Sequence, residues 1–99
     1  MNKVEYKKML EEAVETDGIQ FCLNCLQEEA AELIVAINHL RRGRVNTRRV
    51  VEEMANVSLM LDMCRVGIDD EIGFENEINS KSIKIGAVVS WKKQSLSKL

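Results

Sequence analysis

The chain has 99 residues, enough for one ordinary domain and too few for two. Its 14 basic and 16 acidic residues give a net charge of −2, which excludes a protein built mainly to neutralise a nucleic-acid backbone. A hydrophobic fraction of 45% argues against intrinsic disorder, and the absence of proline favours long helices. We therefore expect a single all-α domain over residues 1–99, with no nucleic-acid partner.

The sequence also indicates where the protein resides. No run of about 18 apolar residues occurs in it, and the segment 1–15 is too charged for a signal peptide. We therefore expect a cytoplasmic protein without a membrane partner, whose thiols stay reduced. Cys22 and Cys25 have CxxC spacing, but only Cys64 and His39 remain to complete a zinc site. We interpret the cysteines as small core side chains on helices.

Hydrophobic spacing predicts three helices in the first two thirds of the chain. A glycine follows each predicted helix, as is common at helix ends (Gly18, Gly43 and Gly67). An apolar stripe at steps of three and four residues marks the third helix, which Asn46 or Thr47 caps. The three helices cover about residues 2–16, 19–42 and 46–66, and the stripe consists of Val50, Met54, Val57, Leu61 and Cys64.

The pattern after Gly67 is weaker. We expect a fourth helix there, broken near Ser80 and followed by a frayed, lysine-rich tail after Trp91. The predicted fold is an antiparallel bundle of about four helices. Because the first helix alone cannot cover the apolar faces of the second and third, we expect a homodimer or a dimer of dimers to complete the bundle.

Several acidic residues fall where an apolar surface is expected. Projection at about 100° per residue places Glu29 within the apolar face of the second helix, with Glu32 about 60° further round. Glu53 lies about 60° from the centre of the apolar stripe on the third helix, and Asn56 follows three residues later. A charged carboxylate facing a core is costly unless it is protonated, paired or bound to a metal. Four oxygen ligands from two helices suit Mg²⁺, or Mn²⁺, better than zinc.

A simpler interpretation treats the acids of these two helices as solvated helix charges paired with Arg48, Arg49 or lysines, namely Glu28, Glu32, Glu52 and Glu53. We prefer it for Glu28 and Glu52, and the metal interpretation for Glu29. The arginines around the connection between the two acidic helices could meet a phosphate, but we prefer a solvated role that complements the helix dipole. These are Arg41, Arg42, Arg44, Arg48 and Arg49.

Two segments carry a resemblance to a known family. They are Gln27-Glu28-Glu29-Ala30-Ala31-Glu32-Leu33-Ile34 and Val51-Glu52-Glu53-Met54-Ala55-Asn56-Val57. Together they resemble the EExxE…ExxD signature of the MazG-like all-α nucleoside triphosphate pyrophosphohydrolases, especially the short single-domain members of bacteria and phages. The resemblance extends over about residues 18–64, roughly half of the chain.

The resemblance implies a function and the residues that perform it. Glu29, Glu32 and Glu53 would bind Mg²⁺ together with Asn56, which stands where the family has aspartate. Glu28 is the family's other acidic catalytic position. The implied reaction hydrolyses a nucleoside triphosphate between the α and β phosphates and gives a monophosphate and pyrophosphate. Two basic residues of the last helix would contact the phosphates, namely Lys81 and Lys84.

Three classes of function remain open from the sequence. The first is the Mg²⁺-dependent pyrophosphohydrolase. The second is a degenerate relative that binds nucleotide or metal without turnover, because Asn56 removes one carboxylate. The third is a structural helical oligomer or adaptor. A di-iron bundle is not favoured, because the chain lacks Glu-x-x-His pairs, and we interpret His39 as a surface or helix-end histidine.

Overall fold

The computed structural model describes residues 1–97, and all regular structure within them is helical. The helices are α1 (Lys3–Asp17), α2 (Ile19–Arg41), α3 (Thr47–Ile68) and α4 (Glu71–Ser97). The prediction of an all-α protein is confirmed. None of the helices within this range has the length and apolar content needed to cross a membrane. The chain forms two compact units, Met1–Asp69 and a second that begins at Asp70.

The first unit consists of α1, α2 and α3. The most extensive packing is between α2 and α3, and α1 lies mainly against α3. The chain reverses through a Schellman motif, in which the Gly43 amide donates to Leu40 and the Arg44 amide donates to His39. Gly43 takes the positive φ of 71° that this motif needs, which confirms the predicted end of α2. The short connection returns α3 alongside α2, as is usual for antiparallel neighbours.

The start of α1 is fixed by a side-chain cap. The Asn2 side chain accepts a hydrogen bond from the Glu5 amide at 2.9 Å and donates one to the Glu5 carboxylate at 2.6 Å. This reciprocal arrangement satisfies amides that the first turn of a helix leaves free. At the other end, Gly18 has a φ of 84° and separates α1 from α2, as the sequence predicts.

The prediction that Gly67 ends the third helix is wrong. Gly67 lies inside α3, which continues to Ile68 and ends where Asp69 takes the left-handed conformation, with a φ of 57°. Gly67 allows close helix packing and does not end the helix. A Cβ atom at this position would lie 2.5 Å from Ile19 Cδ1 and 3.3 Å from Val14 Cγ1. The absence of a side chain therefore lets α3 approach the junction of α1 and α2 closely.

The core of the first unit is small. Its fully buried apolar side chains are Leu10, Cys22, Ala36 and Cys64, and they come from all three helices. The apolar stripe predicted on the third helix is only partly buried, because Met54 and Leu61 are exposed. The side chain that α3 buries most completely is instead an acid, Glu53. The sequence pattern therefore located the helix correctly and its most buried position only approximately.

The second unit contains one long helix. Asp70 caps α4 by accepting a hydrogen bond from the Gly73 amide at 3.0 Å. The predicted break near Ser80 is wrong, because α4 is continuous through that segment, and the ion pair of Lys81 with Glu77 at 2.7 Å spans it. The predicted fraying after Trp91 is likewise wrong as far as Ser97, the last residue of α4. The single domain over residues 1–99 stays a prediction.

Candidate metal centre

Three carboxylates from two helices meet in the first unit. Glu29 and Glu32 lie one turn apart on α2, and Glu53 reaches them from α3. One oxygen from each carboxylate lies within 4.8 Å of the others, so a single small cation could contact all three. This carboxylate cluster (Glu29, Glu32 and Glu53) contains three of the four metal ligands expected from the sequence.

The carboxylate cluster is partly removed from water. Glu53 is 1% exposed, Glu29 is half-buried, and Glu32 lies at the surface. The Oε2 atoms of Glu29 and Glu53 are buried and have no hydrogen-bond partner in the structure. Buried polar atoms are nearly always paired, so two unpaired carboxylate oxygens at one place call for a specific explanation. A cation that binds between them would satisfy both atoms.

The electrostatics of Glu29 reflect this crowding. Burial raises the pKa of Glu29 above its ordinary value, and the negative charges of Glu32 and Glu53 raise it further. Hydrogen bonding with the Asn56 side chain acts in the opposite direction. Glu29 therefore resists ionisation when no cation is present. A divalent cation at this position would reverse that preference, because opposite charge favours the carboxylate form.

One arginine already contacts the carboxylate cluster. Arg49 Nη1 lies 2.8 Å from Oε1 of Glu53, one turn along α3. The interpretation of Arg49 as a solvated connection residue was therefore incomplete, because half of its side chain is covered. The ion pairs of Glu52 with Arg48 at 3.4 Å and with Arg49 at 3.8 Å confirm the prediction that Glu52 is a paired surface charge. The i, i+4 spacing of Arg49 and Glu53 is evident from the sequence. The burial of Glu53 is not.

Two further predicted site residues border the carboxylate cluster without belonging to it. Asn56 is exposed on α3 and is near enough to Glu29 to hydrogen-bond with it. Glu28 is exposed on α2, and its carboxylate is not among the three that converge. The roles of Asn56 as a ligand and of Glu28 in catalysis stay predictions.

The two predicted phosphate contacts lie in the second unit. Lys81 and Lys84 are exposed on α4, and Lys81 pairs with Glu77 at 2.7 Å. This pair holds the pKa of Glu77 below its ordinary value. The contact of these lysines with phosphate also stays a prediction.

A cleft of about 300 Å³ adjoins the carboxylate cluster. It shares Glu32 with the cluster and extends along α2 as far as His39, in the last turn of that helix. Arg49 contributes the wall from α3. His39 is therefore half-buried at a helix end, as expected, but it also faces a cleft, which the sequence did not indicate. The complete lining is Ala31, Glu32, Val35, Ala36, His39 and Arg49.

The cysteines offer a different chemistry, and the structure does not favour metal binding by them. All three are free, Cys22 and Cys64 are buried, and burial is the main cause that raises the pKa of Cys25 and Cys64. A raised thiol pKa keeps sulfur protonated, whereas zinc binds the thiolate. Among residues 1–97 the cysteines do not belong to any group of three or more potential metal ligands. Their prediction as core side chains is confirmed for Cys22 and Cys64.

The donor set defines the kind of ion that fits. All three converging groups are carboxylates, and hard oxygen ligands suit Mg²⁺ and Mn²⁺. The positive charge of Arg49 offsets one of the three negative charges, which leaves room for a divalent cation. Comparison of the chain with protein-family models, with characterised proteins and with solved structures found no match. The interpretation of the site therefore depends on its geometry and on its sequence pattern.

Proposed function

We propose that the chain is a Mg²⁺-dependent nucleoside triphosphate pyrophosphohydrolase of the MazG-like class. The reaction cleaves the substrate between its α and β phosphates and releases a nucleoside monophosphate and pyrophosphate. Mn²⁺ can replace Mg²⁺, because both ions prefer oxygen ligands. Glu29, Glu32 and Glu53 hold the cation, and Asn56 supplies a fourth oxygen.

The observation that supports this proposal is the pair of orphaned oxygens in the carboxylate cluster. Glu29 Oε2 and Glu53 Oε2 are buried without partners, and both carboxylates lie within reach of Glu32. Purely structural glutamates at a helix interface normally pair with a base or reach water. Within residues 1–97, Glu53 is the one member of the cluster with a cationic partner, and that partner contacts its other oxygen.

The side chains have separable roles in the proposed reaction. A cation held by these carboxylates would supply positive charge to stabilise the pyrophosphate leaving group. Glu53 is fixed by Arg49 and by burial, so it presents one oxygen in a constant position. Glu32 lies at the surface and lines the cleft, from which a substrate would reach the cation. Glu28, which is exposed on α2, would be the further acidic residue that the resemblance implies for catalysis.

A second candidate is a degenerate relative that binds metal and nucleotide without turnover. Asn56 favours this alternative, because it is a neutral residue where the resembling family has a carboxylate. Its amide has one oxygen to offer and contributes no negative charge. Metal binding then depends on three carboxylates, one of which is already paired with Arg49.

We also propose that the protein assembles as a homodimer or a dimer of dimers in a MazG-like helical bundle. The small number of buried apolar side chains supports this assembly, since α4 buries none of its residues. Large apolar side chains that remain exposed on one chain are typical of a surface that another chain covers. We place the protein in the cytoplasm.

Pyrophosphate release from a panel of standard and modified nucleoside triphosphates, with Mg²⁺ and with chelator, tests the proposed reaction. Activity should require Mg²⁺ and should disappear in Glu29→Gln and Glu32→Gln, while Glu52→Gln keeps it. Metal-dependent thermal stabilisation without turnover would instead favour the degenerate relative. Neither turnover nor stabilisation would favour the structural oligomer.

A further inference from the structure

The cleft beside Glu32 contains two nitrogen-bearing side chains that the metal site does not use. His39 comes from α2 and Arg49 from α3, and both line the same space of about 300 Å³. The remaining lining is apolar apart from Glu32 (Ala31, Val35 and Ala36). A cleft that combines a few polar groups with apolar walls is the usual form of a small-molecule site.

Arg49 retains most of its hydrogen-bonding capacity. A guanidinium has five N–H donors, and in the structure Nη1 donates to Glu53 at 2.8 Å. The contact with Glu52, at 3.8 Å, is an ion pair beyond hydrogen-bond distance. The side chain is 48% exposed, so the remaining donors can reach a ligand in the cleft. Because Glu53 anchors one edge of the guanidinium, a ligand need not immobilise a freely moving side chain.

His39 provides a second donor from the opposite helix. It lies in the last turn of α2, where it is half-buried against the cleft. The cleft is open to solvent, since Ala31 and Val35 in its lining are exposed. His39, Arg49 and Glu32 thus border one accessible space.

We propose that this cleft is an oxyanion subsite that binds a phosphate group of a phosphoanhydride, with Arg49 and His39 as the donors. This inference rests on the proposed function, because Glu32 repels an anion unless a divalent cation offsets its charge. A planar guanidinium binds phosphate oxygens through parallel hydrogen bonds, which suits Arg49 better than a lysine. Anion binding in the cleft and cation binding at the carboxylate cluster therefore strengthen each other.

Calorimetric titration can separate the two sites. Mn²⁺ alone is first titrated into the parent and the variants, and pyrophosphate is then titrated into the Mn²⁺-loaded proteins. Arg49→Gln should weaken pyrophosphate binding by about tenfold, which is the size expected for a lost charge-assisted hydrogen bond. Arg48→Gln is the matched control, because Arg48 pairs with Glu52 and does not line the cleft. It should change pyrophosphate binding less than twofold.

Two further variants keep the test decisive if Arg49→Gln destabilises the buried Glu53. Arg49→Lys retains a cation beside Glu53 and removes the planar fork, so it should also weaken pyrophosphate binding. His39→Asn removes the ring from α2 and leaves Arg49 in place, and it should weaken pyrophosphate binding by a few fold. A non-hydrolysable nucleoside triphosphate should follow the same order of variants as pyrophosphate, whereas a nucleoside monophosphate should not depend on Arg49.

The outcomes distinguish the two proposals. If the parent does not bind Mn²⁺, the metal centre is absent and the proposed function fails, together with the subsite that rests on it. If Mn²⁺ binds but Arg49→Gln, Arg49→Lys and His39→Asn bind pyrophosphate as tightly as Arg48→Gln, only the oxyanion subsite is overturned. Mn²⁺ affinity in Arg49→Gln should equal or exceed that of the parent, because the substitution removes a competing positive charge.

Discussion

Arg49 and Glu53 form an ion pair along α3, with Nη1 of the arginine 2.8 Å from Oε1 of the glutamate. The pair satisfies one oxygen of Glu53 and leaves the other buried without a partner. Breaking a fully buried pair costs about 3–5 kcal/mol, because it leaves an uncompensated charge. Arg49 is 48% exposed, so solvent screens this pair and the cost is smaller. Arg49 therefore stabilises the charge of Glu53, while the second oxygen of that carboxylate has no partner among the described residues.

The first prediction concerns thermal stabilisation by Mg²⁺. A ligand that binds only the folded state at 100 times its dissociation constant adds about 2.7 kcal/mol to the free energy of unfolding. We expect Mg²⁺ to raise the melting temperature of the parent and to have little effect on Glu29→Gln or Glu53→Gln. Each substitution keeps the shape of the side chain and removes the charge of one ligand.

Glu52→Gln is the control for this measurement, because Glu52 neighbours Glu53 in sequence but pairs at the surface. It should retain the Mg²⁺-dependent shift. An equal loss of the shift in all three variants would mean that the cation binds elsewhere, or that it responds only to the overall negative charge of the protein.

The second prediction concerns pH in metal-free buffer. The pKa of Glu29 is raised in the folded chain by burial, by Glu32 and by Glu53. In an unfolded chain a glutamate has a pKa of about 4.3. The folded state therefore holds the proton of Glu29 more tightly than the unfolded state does. The stabilisation that results is complete at pH values below the pKa of the unfolded chain. This contribution is lost as pH rises through the folded pKa.

Urea unfolding at a series of pH values measures this effect. The free energy of unfolding of the parent should fall relative to that of Glu29→Gln as pH rises from about 4.3. The comparison with Glu29→Gln cancels other titrating groups, such as Glu77, whose pKa is shifted in the opposite direction. Parallel pH profiles for the two proteins would show that Glu29 ionises normally.

The sequence predicted the helical class and the convergence of Glu29, Glu32 and Glu53, because helical periodicity decides which side chains share a face and a short connection folds α3 back on α2. It could not predict that Gly67 lies within α3, since a glycine used for close packing and a glycine that ends a helix look the same in sequence. The distinction depends on Ile19, which is distant along the chain. The continuity of α4 through Ser80 was missed because serine and asparagine weaken a helix without breaking it.

Arg49 and His39 show a different limit of prediction. The sequence indicates a surface or helix-end histidine for His39 and a solvated residue near the helix connection for Arg49, and both lie near helix ends, on α2 and α3. Their shared cleft exists only because the connection through Gly43 brings the end of one helix beside the start of the next. A property that belongs to the space between two helices has no periodic signal in either one.

The third prediction concerns assembly. Four apolar residues of α4 fall within about 40° of one another at 100° per residue, and all four are exposed. We expect this α4 stripe to pack against a second chain, so that Ile85→Glu reduces the oligomer to a monomer. The stripe consists of Ile78, Ile85, Val89 and Leu96.

Ile83→Glu is a matched control for Ile85→Glu, because the two isoleucines are 65% and 66% exposed and point about 160° apart on α4. Light scattering at micromolar concentration should give an oligomer for the parent and for Ile83→Glu, and a monomer for Ile85→Glu. A stable monomer of the parent would contradict the proposed assembly.

The last prediction concerns Asn56→Asp, which places a fourth carboxylate beside Glu29. With Mg²⁺ present, the added charge should tighten metal binding by about tenfold, or about 1.4 kcal/mol, and should raise pyrophosphate release when the metal is limiting. Without metal, the same substitution should lower the melting temperature at neutral pH, because Asn56 now lowers the pKa of Glu29 and a carboxylate there would raise it. Opposite shifts in the two conditions are the signature of a metal site.

Asn24→Asp, at an exposed position of α2 outside the carboxylate cluster, adds the same charge and should produce neither shift. If the melting curves of Asn56→Asp and Asn24→Asp do not differ, with or without Mg²⁺, Asn56 does not belong to the metal site.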